Sequence, residues 1–339
     1  MSTQAFQSYG DIPARVGVQA VGKLLAHAEF ENVVTKFATI FPFKDNKGQV
    51  IRFRRLVPNV ISTKPLVEGV TPPSKAVRSE IVDFRIKQYG AVYRFSDWVD
   101  TLHEENISSE IVELAGVEAS HVREFVLWGY LRSGTQVFRA GGAATRAQID
   151  SVFSISTVDA ATNLLRRNFA REVTEMVNAT PNVGTEPIGA GFLAFGHIDL
   201  WHDIYEMDTF VPTYRYGDAR KATSNYEIGS LRGNVRVLLA PHLPYWPDAG
   251  ETVANAPGMR SDNNVRANVY PLVIVGREAY GAIPLKGMNS VGLTAKKAEP
   301  TDSDPLAQRH FVAWKYWFTG GILNQRWLVR IETAASELA

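Results

Sequence analysis

The segment 197–203 carries side chains of the types that ligate metal ions. They are His197, Asp199, His202 and Asp203. His197 and His202 are five residues apart, so on a helix they would splay instead of sharing the i, i+4 face used by zinc enzymes. Asp199 and His202 could still meet at i, i+3 spacing. A metalloenzyme built on this cluster therefore stays an alternative, and polar side chains around a helix start are the favoured interpretation.

Other patterns that could do chemistry lack the context that they need. Gly189 and Gly191 precede a predicted strand, whereas a dinucleotide-binding loop opens a helix. Asp302 and Asp304 lack the remaining ligands of a calcium loop. The chain has no cysteine, which excludes thiolate metal sites, disulfides and cysteine nucleophiles. Without a Walker loop or a nucleophile elbow, the sequence predicts a protein that is not an enzyme and that uses no cofactor or metal.

The composition is that of a folded protein whose stability comes from packing. The 339 residues include 36 basic and 35 acidic side chains, a net charge of +1, with 45% hydrophobic and 21% charged residues. Near-neutral charge argues against stoichiometric neutralisation of nucleic acid. No stretch of the chain reaches the length of a membrane span, and residues 1–16 lack the pattern of a secretion signal. We therefore expect folding in a cytoplasm, with no membrane contact.

The rest of the chain is organised around one long helix, predicted within residues 100–138. Its apolar stripe at helical spacing predicts a buried core that includes Ile111, Val122, Phe125 and Val126. Glu124 falls off that stripe. A continuous helix of about 30 residues would be about 45 Å long. A helix of this length with one apolar stripe is typical of a rigid spine on which sheets are laid.

Before the helix, two strands with alternating polarity predict an extended ribbon. Residues 49–57 and 82–86 carry the alternation, and the pattern changes phase near Gly90, which predicts a bulge. A tip of about 20 residues rich in proline joins the strands. Because a two-stranded ribbon is only marginally stable in water, we expect it to lie on a neighbouring subunit. A flexible surface hairpin is the alternative.

The remaining segments predict a mixed architecture. Residues 16–37 form a moderately amphipathic piece, predicted as an N-terminal helix. Residues 192–196, 234–239 and 269–275 are apolar runs that predict buried strands. The aromatic C-terminal segment must be inserted in a sheet. Strands and helices mix without strict alternation, so the fold class is α+β.

Several motifs along the chain carry a resemblance to a known family. They are Glu68-Gly69-Val70-Thr71-Pro72, Tyr89-Gly90, Ser96-Asp97, Gly134-Thr135-Gln136-Val137, Glu227-Ile228-Gly229, Val275-Gly276, Ala279-Tyr280-Gly281, Asp304-Pro305-Leu306-Ala307-Gln308-Arg309, Trp314-Lys315 and Ile322-Leu323-Asn324-Gln325. With the order of ribbon, spine helix and returning strand, they resemble the major capsid proteins of tailed bacteriophages, in particular those of N-four-like phages.

The resemblance implies a structural shell protein with the tailed-phage major capsid fold. Residues 1–45 would form the N-terminal arm, 46–99 the extended loop, 100–140 with 311–339 the peripheral domain, and 141–310 mainly the axial domain. Hexamers and pentamers of the chain would form an icosahedral head around double-stranded DNA, assembled in the host bacterial cytoplasm. Separate scaffolding, portal and decoration proteins are the implied partners. A nanocompartment shell protein of the encapsulin type is the alternative.

The predicted contacts between subunits lie in the ribbon. They are Arg52, Arg54, Glu68, Gly69, Thr71, Pro72, Pro73 and Arg85.

Overall fold

A computed structural model describes most of the chain from residue 31 onward. The described residues are 31–46, 48–57, 59–98, 107–174, 176–177, 186–187, 190–215, 224–287, 292–296, 299–300, 302 and 304–337. Most of the predicted N-terminal arm, and most of the helix predicted for residues 16–37, lie outside them. Residues 33–38 form turns and a bend, so the predicted helix does not extend through this segment.

The described elements are three α-helices and sixteen strands. Helices α1 to α3 are Ile107–Leu131, Ile155–Arg167 and Trp201–Tyr205. Strands β1 to β16 are Thr39–Ile40, Val50–Val57, Arg78–Arg85, Lys87–Ser96, Val137–Arg139, Met176–Val177, Glu186–Pro187, Phe192–His197, Phe210–Pro212, Glu227–Leu231, Val235–Ala240, Tyr270–Val275, Tyr280–Pro284, Gly292–Lys296, Arg309–Ile322 and Leu328–Thr333. Short 3-10 helices cover Ala140–Gly142, Arg146–Gln148, Ile198–Leu200, Thr213–Arg215 and Gln325–Trp327. Among these helices, none is both long and apolar enough to cross a membrane.

A five-stranded sheet is built around the long strand β15. Strand β4 runs antiparallel along one side of β15, from Lys87 opposite Phe318 to Ser96 opposite Arg309. Strands β13 and β14 share the other side, and β1 extends the sheet beyond β13. Helix α1 packs on this sheet. The predicted arrangement of a spine helix against a sheet is therefore confirmed.

A seven-stranded sheet forms the second core, in the order β5-β16-β12-β8-β11-β10-β9. Its central strands β8, β11, β12 and β16 are buried at nearly every position, because apolar layers including α2 cover them. Continuous apolar runs are typical of strands buried on both faces, and the three predicted buried strands are confirmed. Strand β16 lies between β5 and β12, so residues 311–339 divide between the two sheets. The grouping of that whole segment with the spine helix in one domain stays a prediction.

Helix α1 packs in one core along its length, and its C-terminal half also contacts chain that is distant in sequence. Ile111, Ala115 and Ala119 pack in the core shared with β15, and Val122 and Val126 are half-buried against that core. Further along, Leu127, Trp128 and Leu131 are buried in the same core, and Trp128 Nε1 donates a hydrogen bond to the carbonyl oxygen of Pro244 at 2.8 Å. Phe125 is 40% exposed, so its predicted place in the core is wrong. Chain that is distant in sequence, such as Pro244, also contacts the C-terminal half of α1. The spacing of apolar residues along the helix does not predict these contacts.

Gly320 of β15 sets how closely α1 approaches the sheet. A Cβ atom at Gly320 would lie 2.3 Å from Cδ2 of Leu127 and 2.9 Å from the carbonyl oxygen of Gly281. Both contacts are closer than real Cβ atoms show. The helix therefore packs against bare backbone at this point.

Gly320→Ala is expected to lower the free energy of unfolding by about 1–3 kcal/mol, since the added methyl group overpacks this interface. Gly129→Ala, on α1, is the matched control because nothing lies within 4 Å of its Cβ position. That variant should gain about 1 kcal/mol from helix propensity. Denaturant titration of both variants measures the difference, and equal midpoints would contradict the close-packing argument.

Candidate assembly surface

The ribbon is an antiparallel pair of strands, β2 and β3, in register from Val50 opposite Arg85 to Val57 opposite Arg78. Arg52 forms a two-pronged ion pair with Asp83 across the strands, at 2.8 Å for both nitrogens. Arg55 also pairs with Glu80 across the strands, through Nη2. Opposite charges on facing strands stabilise the pairing. The predicted ribbon is confirmed as a local structure.

The root of the ribbon is tied to the body of the subunit by aromatic packing. Phe53 and Phe84 lie on facing strands with ring centroids 5.7 Å apart. Phe84 and Phe43 are buried in a small core with Ile283 of β13. A Cβ atom at Gly321 would lie 2.2 Å from the Phe84 ring, so this glycine makes room for the ring. The ribbon therefore leaves the body from a fixed base.

The tip of the ribbon has no protein cover within the described part of the chain. Residues 59–79 are exposed at every position. Its large apolar side chains are 62–88% exposed, namely Val60, Ile61, Leu66, Val67, Val70 and Val77. Soluble monomers rarely present so much contiguous apolar surface, and such patches mark interaction sites. The tip is the best candidate surface for contact with another molecule.

The predicted contact residues divide between the tip and the strands. Glu68, Gly69, Thr71, Pro72 and Pro73 all lie exposed at the tip. Gly69 has φ of 78°, in the left-handed region that favours glycine, and it closes a turn in which the Val70 N–H donates to the Val67 carbonyl.

The three predicted arginines lie on the ribbon strands, and two of them contact other ribbon residues. Arg52 pairs with Asp83, and Arg85 donates to Gln49 at 3.1 Å. Arg54 is exposed on β2. The sequence prediction did not name the exposed aliphatic side chains of the tip, although they were visible as Val, Ile and Leu between prolines. As inter-subunit contacts, all of these residues stay a prediction.

Glu124 of α1 holds the segment that leads out of the N-terminal region. The carboxylate is fully buried and accepts hydrogen bonds from three successive backbone N–H groups. The donors are Val33 at 2.8 Å and Val34 at 2.6 Å to Oε1, and Thr35 at 2.8 Å to Oε2. The Thr35 hydroxyl adds a fourth bond at 2.7 Å. We call this set of contacts the arm clamp.

The environment of Glu124 keeps it ionised. Burial by itself would raise the pKa of this carboxyl group. Nearby His242, whose Nε2 lies 3.7 Å from Oε1, the Thr35 hydroxyl and the backbone N–H groups outweigh burial and hold the pKa of Glu124 below its ordinary value. An ionised group accepting several hydrogen bonds forms strong, short contacts. The clamp is therefore a charged anchor inside the core.

Glu118, on the same helix, ties α1 to the five-stranded sheet. It accepts a hydrogen bond from Trp314 Nε1 on β15 at 2.7 Å and another from the Tyr93 hydroxyl on β4. Burial and the neighbouring Glu118 raise the pKa of Tyr93 to about 12. The two carboxylates thus fix α1 against the sheet and the arm, and sequence reasoning gave neither of them a role.

In the 197–203 cluster, His197 and Asp199 pair with each other, whereas His202 and Asp203 contact residues outside the cluster. His197 Nδ1 lies 3.1 Å from Asp199, and Asp199 also accepts a hydrogen bond from Tyr270 at 2.8 Å. Nε2 of His202 lies 3.4 Å from Oε1 of Glu206. The metal-site alternative required His202 to meet Asp199 instead. Asp203 accepts from the N–H of Ser336. Within the described residues, no group of three or more His, Asp and Glu side chains is placed to hold a metal ion.

Comparison with solved structures shows what this architecture is. The capsid of Ralstonia phage GP4 matches over 99% of this chain and 100% of its own, with a TM-score of 0.70 at 10% identity. The capsid protein of cyanophage P-SCSP1u covers 95% and 94%, with a TM-score of 0.63 at 13% identity. The chain has the tailed-phage capsid fold. The head protein of Helicobacter pylori bacteriophage KHP40 gives a TM-score of 0.61 over 99% of both chains at 11% identity.

Sequence comparison adds a relative that is named as a phage major capsid protein. A major capsid protein of Pseudomonas phage KPP21 is 24% identical over 233 residues, which is 64% of this chain. This chain spans 58% of the length of that relative. No protein-family profile matches the chain. The capsid fold predicted from the motif order is therefore confirmed, as is the α+β class.

Proposed function

We propose that this chain is the major capsid protein of a tailed bacteriophage, and that many copies build the icosahedral head shell. The observation that carries the proposal is the exposed apolar ribbon tip on a subunit with the capsid fold. A tip that finds no cover among the described residues of its own subunit is stabilised when it lies on a neighbour. The curated relative from Pseudomonas phage KPP21 supports the same assignment.

The arrangement of copies is part of the proposal. Hexamers and pentamers would tile the shell, with the ribbon reaching across to an adjacent copy and the N-terminal arm clasping another. The division of residues 1–45, 46–99, 100–140 with 311–339 and 141–310 into arm, extended loop, peripheral and axial domains follows this scheme, with β16 belonging to the seven-stranded sheet.

Other partners are proposed on chemical grounds. The shell would enclose double-stranded DNA without sequence-specific binding, since a net charge of +1 leaves the chain little general attraction for phosphate. Separate scaffolding, portal and decoration proteins would complete the head, and assembly would take place in the host bacterial cytoplasm. The role is structural and not catalytic.

Electron microscopy of the chain expressed with the products of neighbouring genes tests the proposal. We expect closed shells, tubes or ordered capsomers, because the ribbon and arm surfaces would find their partners at high subunit concentration. Persistent monomers under all assembly conditions would contradict the proposal. The content of the shells distinguishes this proposal from the nanocompartment alternative. A phage head holds DNA, whereas a nanocompartment holds enzymes.

A further inference from the structure

Four arginines converge beside the edge strand of the seven-stranded sheet. Arg139 ends β5, Arg146 begins the 3-10 helix Arg146–Gln148, and Arg330 lies on β16, which pairs with β5. Arg132 follows the end of α1. We call these four side chains, together with Glu332 and Trp246, the arginine pocket. The parallel pairing places Glu332 directly opposite Arg139.

Three of the arginines share one carboxylate. Glu332 is fully buried, with Arg146 Nη2 at 2.6 Å, Arg330 Nη2 at 2.9 Å and Arg139 Nε at 3.2 Å. Burial would raise the pKa of Glu332, but these ion pairs outweigh it and hold the pKa below the ordinary value. The carboxylate is therefore ionised, and its single charge is divided among three cations.

Trp246 brings the guanidinium groups together on its ring. The Cζ atom of Arg146 lies 3.6 Å from the ring centroid, and those of Arg132 and Arg330 lie 5.4 and 5.5 Å from it. Stacking on an indole ring is favourable for a guanidinium group, but it leaves the positive charge in place. Like charges held this close repel one another. Burial and the positive charge of neighbouring Arg146 lower the pKa of Arg132.

The charges in the pocket do not balance. Within the described part of the chain, Glu332 is the carboxylate paired with Arg139, Arg146 and Arg330, whereas four guanidinium groups share the pocket. The side chain of Arg330 is only 10% exposed, and the buried Nε atoms of Arg132, Arg146 and Arg330 have no hydrogen-bond partner among the residues that the structure describes. Buried cations without a partner anion are strongly unfavourable. An additional anion would relieve this imbalance.

The side of the pocket that faces solvent has the geometry to take such an anion. The side chains of Arg139 and Arg146 are 29% and 33% exposed. Arg139 contacts Oε2 of Glu332 and Arg146 contacts Oε1, so both side chains converge on one carboxylate. We propose that the arginine pocket binds a small oxyanion, of which inorganic phosphate is a simple example, through Arg139 and Arg146. Guanidinium groups recognise phosphate oxygens through paired N–H donors.

Thermal unfolding of the full chain at a concentration below assembly tests this site. Raising phosphate against chloride at equal ionic strength should raise the unfolding midpoint, since a ligand that binds only the folded state stabilises it. Calorimetric titration should show saturable binding of phosphate. The result does not depend on shell formation, so its failure is distinguishable from failure of the proposed function.

Two variants separate binding from a general salt effect. Arg139→Gln leaves Arg146 and Arg330 to pair with Glu332, so it should fold and should bind phosphate about tenfold more weakly. Arg166→Gln is the matched control, because Arg166 is a half-exposed arginine on α2 that pairs with Glu172 away from the pocket. The Arg166→Gln variant should keep the rise of the unfolding midpoint with phosphate. Equal responses in all three proteins, or no response in the native chain, would overturn the proposal.

Discussion

Removal of residues 64–75 is expected to leave a folded subunit that no longer closes into shells. These residues lie within the exposed tip of the ribbon, and the strands below them end at Val57 and resume at Arg78. Because residues 59–79 are exposed throughout, the deletion removes no core contact from the subunit. The deletion removes only contacts that the tip would make with a second copy of the chain.

The measurements separate folding from assembly. Circular dichroism and the thermal midpoint should match those of the full chain, while electron microscopy should show no closed shells under conditions in which the full chain forms them. Solubility of the free subunit should rise, since exposed apolar side chains have been removed. Shells of normal yield and size would show that the tip does not hold neighbouring copies together.

A pair of substitutions sharpens the same test without shortening the loop. Leu66→Ser with Val67→Ser removes two side chains that are 77% and 68% exposed. Lys64→Ser is the matched control, because it changes the same tip but keeps its apolar surface. If burial of the tip drives assembly, the double variant should reduce shell yield by about tenfold or more, since each buried side chain of this size contributes about 1.5–3 kcal/mol. The lysine variant should assemble.

The ribbon was predictable because its signal is local. Alternating polarity over residues 49–57 has a period of two whatever the strand packs against, and it matches Val50–Val57. The phase change near Gly90 was read as a bulge. In the structure the break lies at Ile86, where the chain leaves the ribbon as β3 and enters the five-stranded sheet as β4. A bulge and a change of sheet both shift the alternation by one residue, so the pattern alone cannot separate them.

The faces of α1 were predictable only where one partner covers the helix. The stripe through Ile111 meets the sheet as expected, but the C-terminal half also meets chain that is distant in sequence. Glu124 binds residues 33–35, and Trp128 donates to Pro244. No spacing on the helix encodes those partners. A glutamate off the apolar stripe ordinarily faces solvent, and burial with four donors is a property of the tertiary structure. Likewise, Phe125 is 40% exposed because the chain that packs on the C-terminal half of α1 leaves its side chain partly uncovered.

Glu124→Ala should cost the subunit about 3–5 kcal/mol of unfolding free energy, a large effect for one substitution. The variant removes the acceptor for three backbone N–H groups and the Thr35 hydroxyl, all of them buried with it. Each buried donor left without a partner costs about 1–3 kcal/mol, partly offset where water enters. Denaturant titration measures the loss. Glu113→Ala, at an exposed site of the same helix, is the control and should stay within about 0.5 kcal/mol of the native chain.

Glu124→Gln isolates the charge from the shape of the clamp. The amide keeps one acceptor oxygen, which can serve Val33 and Val34, but its NH₂ group would face the donors of Thr35. The pKa of Glu124 is held below the ordinary value of 4.5, so the ionised clamp stabilises the fold above about pH 4.5 and loses that contribution as pH falls through the lowered pKa. The native chain should therefore exceed the glutamine variant in stability at neutral pH, and the gap should narrow on acidification. A gap that stays constant down to pH 3 would mean that the charge of Glu124 contributes nothing, and that the clamp acts through its shape alone.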